Sequence, residues 1–220
     1  MPTATASLQS AQEAGLAKKL LLVAWTGVGI GILLEAVLVA ITTCAGGPLT
    51  LPAILADLVQ KISWSALVCV GLALGTSASR ARPQWMGFLG LMAAPAAFAI
   101  ARGLHKAASQ ALGVPEAGSS APPVLTLAIL KAVEYGLLGF GLALLARRPG
   151  SSLRSHLAYG ALIGAVSAAV VLGLAITGAA KTPPFLGLLL RGANEVLFPI
   201  GCAAVLWTAT SLGRKVAAGA

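Results

Sequence analysis

Acidic residues are scarce. The 220-residue chain has six aspartates and glutamates against 15 lysines and arginines, and charged residues of both signs make up only 10% of it. A soluble domain carries about 25%, so the chain lacks the polar surface that water demands. Cysteine is limited to Cys44, Cys69 and Cys202, too few for a disulfide framework. Also missing are HExxH, CxxC, GxSxG and P-loop patterns, which removes the usual metal-hydrolase, redox, serine-hydrolase and nucleotide signatures. The two histidines, His105 and His156, belong near opposite faces of the membrane, too far apart to ligate one haem. The sequence therefore names no catalytic residue, no metal ligand set and no cofactor, and no motif assigns it to a family.

What is present is apolar. Hydrophobic residues reach 58% and the mean hydropathy is +0.92. Six runs approach or exceed the roughly 20 residues that cross hydrocarbon as a helix: 20–42, 51–76, 85–101, 124–146, 157–177 and 185–208. None alternates as a barrel strand does. The fold class is thus all-α: a polytopic membrane protein of six transmembrane helices spanning 20–208, with tails at 1–19 and 209–220. Turn chemistry separates the runs, as at Gly46-Gly47-Pro48, Arg82-Pro83, Pro122-Pro123, Pro149-Gly150 and Pro183-Pro184. The third run continues helically through Arg102 toward Gly113, ahead of a Gly-Ser-Ser-Ala-Pro-Pro coil.

A net charge of +9 suggests nucleic acid until the basic residues are placed. Lys18, Lys19, Arg80, Arg82, Arg147, Arg148, Arg154, Arg214 and Lys215 share one side of the membrane, and the other has Arg102, Lys106 and Lys181. By the positive-inside rule both termini are cytoplasmic; the excess charge is a topology signal that favours anionic membrane lipid, and no nucleic acid is expected. The first run is too long, and lacks a small-residue cleavage site, for a removable signal; Ile41-Thr42-Thr43-Cys44 does not satisfy a lipoprotein motif. The Ala- and Gly-rich composition with a single asparagine suits a bacterial inner membrane.

Seven charged residues interrupt the apolar runs: Glu35, Asp57, Lys61, Lys131, Glu134, Arg191 and Glu195. Each costs about 2.5 to 3.5 kcal/mol at mid-membrane even on the lenient insertion scale. They share one depth, in the outer half of the bilayer. Asp57, Gln60, Lys61 and Trp64 follow helical i, i+3, i+4, i+7 spacing, as do Arg191, Asn194, Glu195 and Phe198 with the signs reversed. Lys131, Glu134, Tyr135 and Leu138 give a degraded version. These matches, with Gly27/Gly31, Gly87/Gly90 and Gly160/Gly164 on the odd helices, suggest three weak two-helix repeats. Pro199 removes the donor to the Glu195 carbonyl, and Pro95 the donor to that of Leu91, so each frees a carbonyl, either as an ion ligand or hinge or as a static kink that neighbouring helices satisfy.

The charges have a purely structural reading: Asp57 with Lys61, Lys131 with Glu134, and Arg191 with Glu195 would neutralise each other within single helices. Glu35 has no such local partner. It is expected to be protonated, to pair with Lys61, Lys131 or Arg191, or to help hold a cation. Three functions remain. The leading one is a transporter or channel-like protein for a small ion or polar solute, with Glu35, Asp57, Lys61, Lys131, Glu134, Arg191, Asn194 and Glu195 as the binding residues. The second is an accessory or assembly subunit, meeting a membrane-protein partner or forming a homo-oligomer. The third is an embedded lipid- or quinone-binding enzyme, which has the least support because no nucleophile or cofactor motif accompanies it.

Overall fold

Proline sets where most of the helices begin. The computed structural model describes residues 2–77, 83–115, 123–178 and 183–218, with side chains described within 15–75, 83–115, 123–178 and 183–211. Arg80, Arg82, Lys181 and Pro122 lie outside the described residues, as do the side chains of Arg214 and Lys215. The helices are α1 (Pro2–Cys44), α2 (Leu51–Ser77), α3 (Pro83–Ala111), α4 (Val124–Arg147), α5 (Leu153–Thr177) and α6 (Phe185–Ala218). Pro52, Pro83, Pro123 and Pro184 stand in or just before a first turn, where a missing N–H costs no hydrogen bond. α5 starts instead on a capping box in which Ser152 and Ser155 satisfy each other's backbone N–H groups. Gly46, Gly113 and Gly150 adopt positive φ in the turns that follow α1, α3 and α4.

All six helices are long and apolar enough to cross a membrane. The expected spans fall within them, and α1 and α6 run on into the segments expected as tails. α3 reaches Ala111, which accounts for the expected extension past Arg102. Each helix packs on the next in sequence, α6 returns to α1, and α2 touches α6 across the centre. Trp64, Leu72, Tyr135, Leu138, Phe198 and Cys202 form the middle of the core. Trp25, Phe88, Leu125, Val166 and Phe185 lie exposed on the outside, a surface that lipid wets without cost.

The glycine pairs explain how the hairpins close. A Cβ on Gly31 would stand 2.8 Å from the Lys61 carbonyl oxygen, and one on Gly164 would stand 3.0 Å from that of Glu195. Four residues earlier, Gly27 meets Ser65 and Ala66, and Gly160 meets Pro199 and Ile200. The first and third hairpins therefore share one register, with Lys61 and Glu195 in corresponding places. Gly90 presses on the Tyr135 carbonyl in the second. Small residues let backbones approach where lipid gives no hydrophobic drive for helix association.

Candidate functional site

Asp57 and Arg191 each stand six residues into their helices, and Lys61 and Glu195 one turn deeper. Because α2 and α6 touch and α1 packs on both, their polar faces meet rather than turning to lipid. Between them lies a cavity of about 560 Å³ lined by Glu35, Asp57, Lys61, Lys131, Arg191 and Glu195, with Gln60 and Asn194 among them. Pro48, Leu49 and Thr50 also line it, so the cavity reaches the connection between α1 and α2. Glu134 is the one expected site residue outside the lining: it is buried behind Lys131, which it contacts at 2.7 Å.

The pairing differs from the helix-local scheme in two helices of three. Lys61 Nζ lies 2.6 Å from Glu35 Oε2, so α2 and α1 are joined by charge. The approach is off the line of a hydrogen bond and that oxygen accepts none, which makes the attraction ionic. Asp57 pairs with His105 Nε2 on α3 at 3.1 Å instead of with Lys61. Glu195 accepts from Lys131 instead of from Arg191. Only the Lys131 and Glu134 pair forms as the spacing predicts. Local spacing shows which groups can meet on one helix, but a shorter path across a helix contact wins.

Lys131 thus serves two carboxylates. Ser167 on α5 donates to Glu134 Oε2 at 2.8 Å and lies 3.4 Å from Glu195 Oε2. The ammonium also lies 5.9 Å from the ring centroids of Trp64 and Tyr135, within cation–π range. Trp64 is buried, edge-on to Phe98, Tyr135 and Phe198. The Glu195 carbonyl that Pro199 frees is pressed against Gly164 on α5, so a neighbouring helix covers it.

Arg191 is different. It lines the cavity, and its guanidinium makes no ion pair or hydrogen bond with any described residue; the side-chain amides of Gln60 and Asn194 make none either. Among the described residues no cluster of three or more His, Cys, Asp or Glu has metal-holding geometry.

Sequence reasoning missed two participants. His105, expected only near the outer face, joins the cluster through its contact with Asp57. Ser167 had a signal: it follows Gly160 and Gly164 at helical spacing, on the stripe that faces α6. Compared with known proteins, the chain matches no family model, no curated protein and no solved structure.

Proposed function

We propose that this chain is a transporter or channel-like protein that admits a small polar or charged solute to the cavity between α1, α2 and α6. One observation carries the reading: six charged side chains from four helices line a single cavity of about 560 Å³, a size typical of small-molecule sites. Charges that served packing alone would be spent on neighbouring helices and would leave no space among them. The basic-residue distribution supports cytoplasmic termini and an outward-facing mouth near Pro48, Leu49 and Thr50. Composition supports a bacterial inner membrane.

Flux tests the reading. Reconstituted vesicles are screened with small cations, anions and zwitterions, and at least one is expected to cross in a protein-dependent way. Glu35→Gln and Glu195→Gln, each folded, are expected to slow that flux at least about tenfold, since the first strands buried Lys61 and the second removes a negative charge from the cavity lining. Folded protein that moves none of them overturns transport. Co-purification with another membrane protein at fixed stoichiometry would replace it with a subunit role.

A further inference from the structure

The charges around the cavity do not cancel in place, and their mismatch describes a ligand. Glu35 and Lys61 neutralise each other, and Asp57, about half exposed, faces the His105 ring at 3.1 Å, a contact that cancels its charge only when the ring is protonated. Lys131 faces two carboxylates, Glu134 and Glu195, which leaves one negative charge in surplus. Arg191 has no partner among the described residues, which leaves one positive charge in surplus. Both surpluses open on the same cavity, and Arg191 and Glu195 stand one turn apart on one face of α6. Side chains so placed are about 5 to 6 Å apart at Cβ.

Resting on the solute-cavity reading above and deepening it, we infer that the ligand is a zwitterion whose oxyanion sits on Arg191 and whose primary ammonium faces Glu195. The planar guanidinium fork matches a carboxylate or phosphate, which it can hold through two hydrogen bonds. The unpartnered amides of Gln60 and Asn194 supply further donors beside it. A simple anion would satisfy Arg191 but add to the surplus carboxylate. A simple cation would do the reverse. A zwitterion answers both and leaves the cavity's net charge unchanged. Leu38, Val39, Ile54 and Leu190 also line the cavity and offer apolar surface to the rest of the molecule. Two sources share this chemistry: a free α-amino acid, and the ethanolamine phosphate headgroup of a lipid.

The test uses the full chain in a neutral maltoside detergent, free of competing headgroups. Calorimetric titrations compare alanine, leucine and phenylalanine with their amides, which are cations, and with their deaminated acids, which are anions. In at least one series the amino acid is expected to bind at least about tenfold tighter than either relative, as loss of a desolvated charge partner implies. Arg191→Gln is expected to abolish that preference by weakening the amino acid and the deaminated acid, while the cationic amide, relieved of a like charge, binds more tightly, and Arg191→Lys to keep part of it. Added phosphatidylethanolamine separates the sources. Displacement of the amino acid, or retention of that lipid but not phosphatidylcholine in native mass spectra, assigns the headgroup; undiminished amino-acid binding assigns the free solute.

Amino acids that bind, but in every series no more tightly than the acid or the amide, overturn the zwitterion and leave the solute cavity standing. Folded protein that binds neither amino acid nor phosphatidylethanolamine also overturns it. In that case a vesicle flux of simple ions would still uphold the broader reading, whereas absence of all flux would sink both.

Discussion

Glu195 takes its hydrogen bond from Lys131 on α4, although Arg191 stands one turn away on its own helix. The local order is the weaker one, because a cation placed four residues before an acid opposes the helix dipole. Lys131 has further reasons to stay, with Glu134 on its other side and the faces of Trp64 and Tyr135 nearby. The exchange ties α6 to α4 and releases a guanidinium into the cavity.

Lys131→Met is expected to destabilise the bundle by about 3 to 5 kcal/mol, because it strands two buried carboxylates. Adding Glu134→Gln and Glu195→Gln to Lys131→Met should recover much of that loss, since the triple variant leaves no buried charge alone. Thermal unfolding in detergent reads both. A triple variant as unstable as the sum of its single substitutions would show that the cluster does not act as a unit.

Two of the pairs that cross between helices should differ sharply in weight. Glu35 and Lys61 are buried, with side chains 7% and 11% exposed, whereas Asp57 and His105 are 48% and 34% exposed. Glu35→Gln leaves Lys61 without its counter-charge and is expected to lower the unfolding temperature clearly. Asp57→Asn removes a screened contact, for which a cost under about 1 kcal/mol is expected. Equal losses from the two substitutions would contradict the burial contrast.

How much of this was legible follows from what periodicity carries. Helical spacing put Asp57, Lys61, Arg191 and Glu195 on single faces and at one depth, and the structure brings those faces together. The glycine stripes mark the hairpin contacts, where an added Cβ meets backbone. Partner choice was not legible, because spacing along one helix contains nothing about the distance to another. So Asp57 goes to His105, Lys131 to Glu195, and Ser167 joins from a helix without a charge in its apolar stretch. Glu134 lies on the expected helix, but its retreat behind Lys131 depends on how α4 is rotated against α5.

Cysteine labelling checks the orientation. Cys44 is exposed at the end of α1, while Cys69 and Cys202 are buried with their sulfurs 3.5 Å apart. In intact cells a membrane-impermeant maleimide is expected to label Cys44 alone, and the Cys44→Ser protein should remain unlabelled until it is denatured. Labelling of Cys44 only after the cytoplasmic face is opened would reverse the assigned sidedness.

The hairpin contacts make a prediction free of any functional assumption. At Gly31 an added methyl group would meet the Ile62 Cα and the Lys61 carbonyl oxygen at 2.8 Å, and at Gly164 the Val196 Cα at 2.8 Å. These are backbone atoms, so neither neighbour can swing aside, and Gly31→Ala and Gly164→Ala are each expected to cost about 1 to 3 kcal/mol through overpacking. Gly29 and Gly173 lie on the same helices with nothing within 4 Å of an added Cβ. There alanine removes only the conformational penalty of glycine, and a gain of about 0.5 to 1 kcal/mol is expected. Unfolding temperatures for the four variants should therefore split by sign within each helix, down in Gly31→Ala and Gly164→Ala and up in Gly29→Ala and Gly173→Ala. Four upward shifts would mean that α1 does not approach α2, nor α5 approach α6, as closely as the shared register requires. The placement of Lys61 and Glu195 against the cavity would fall with that register.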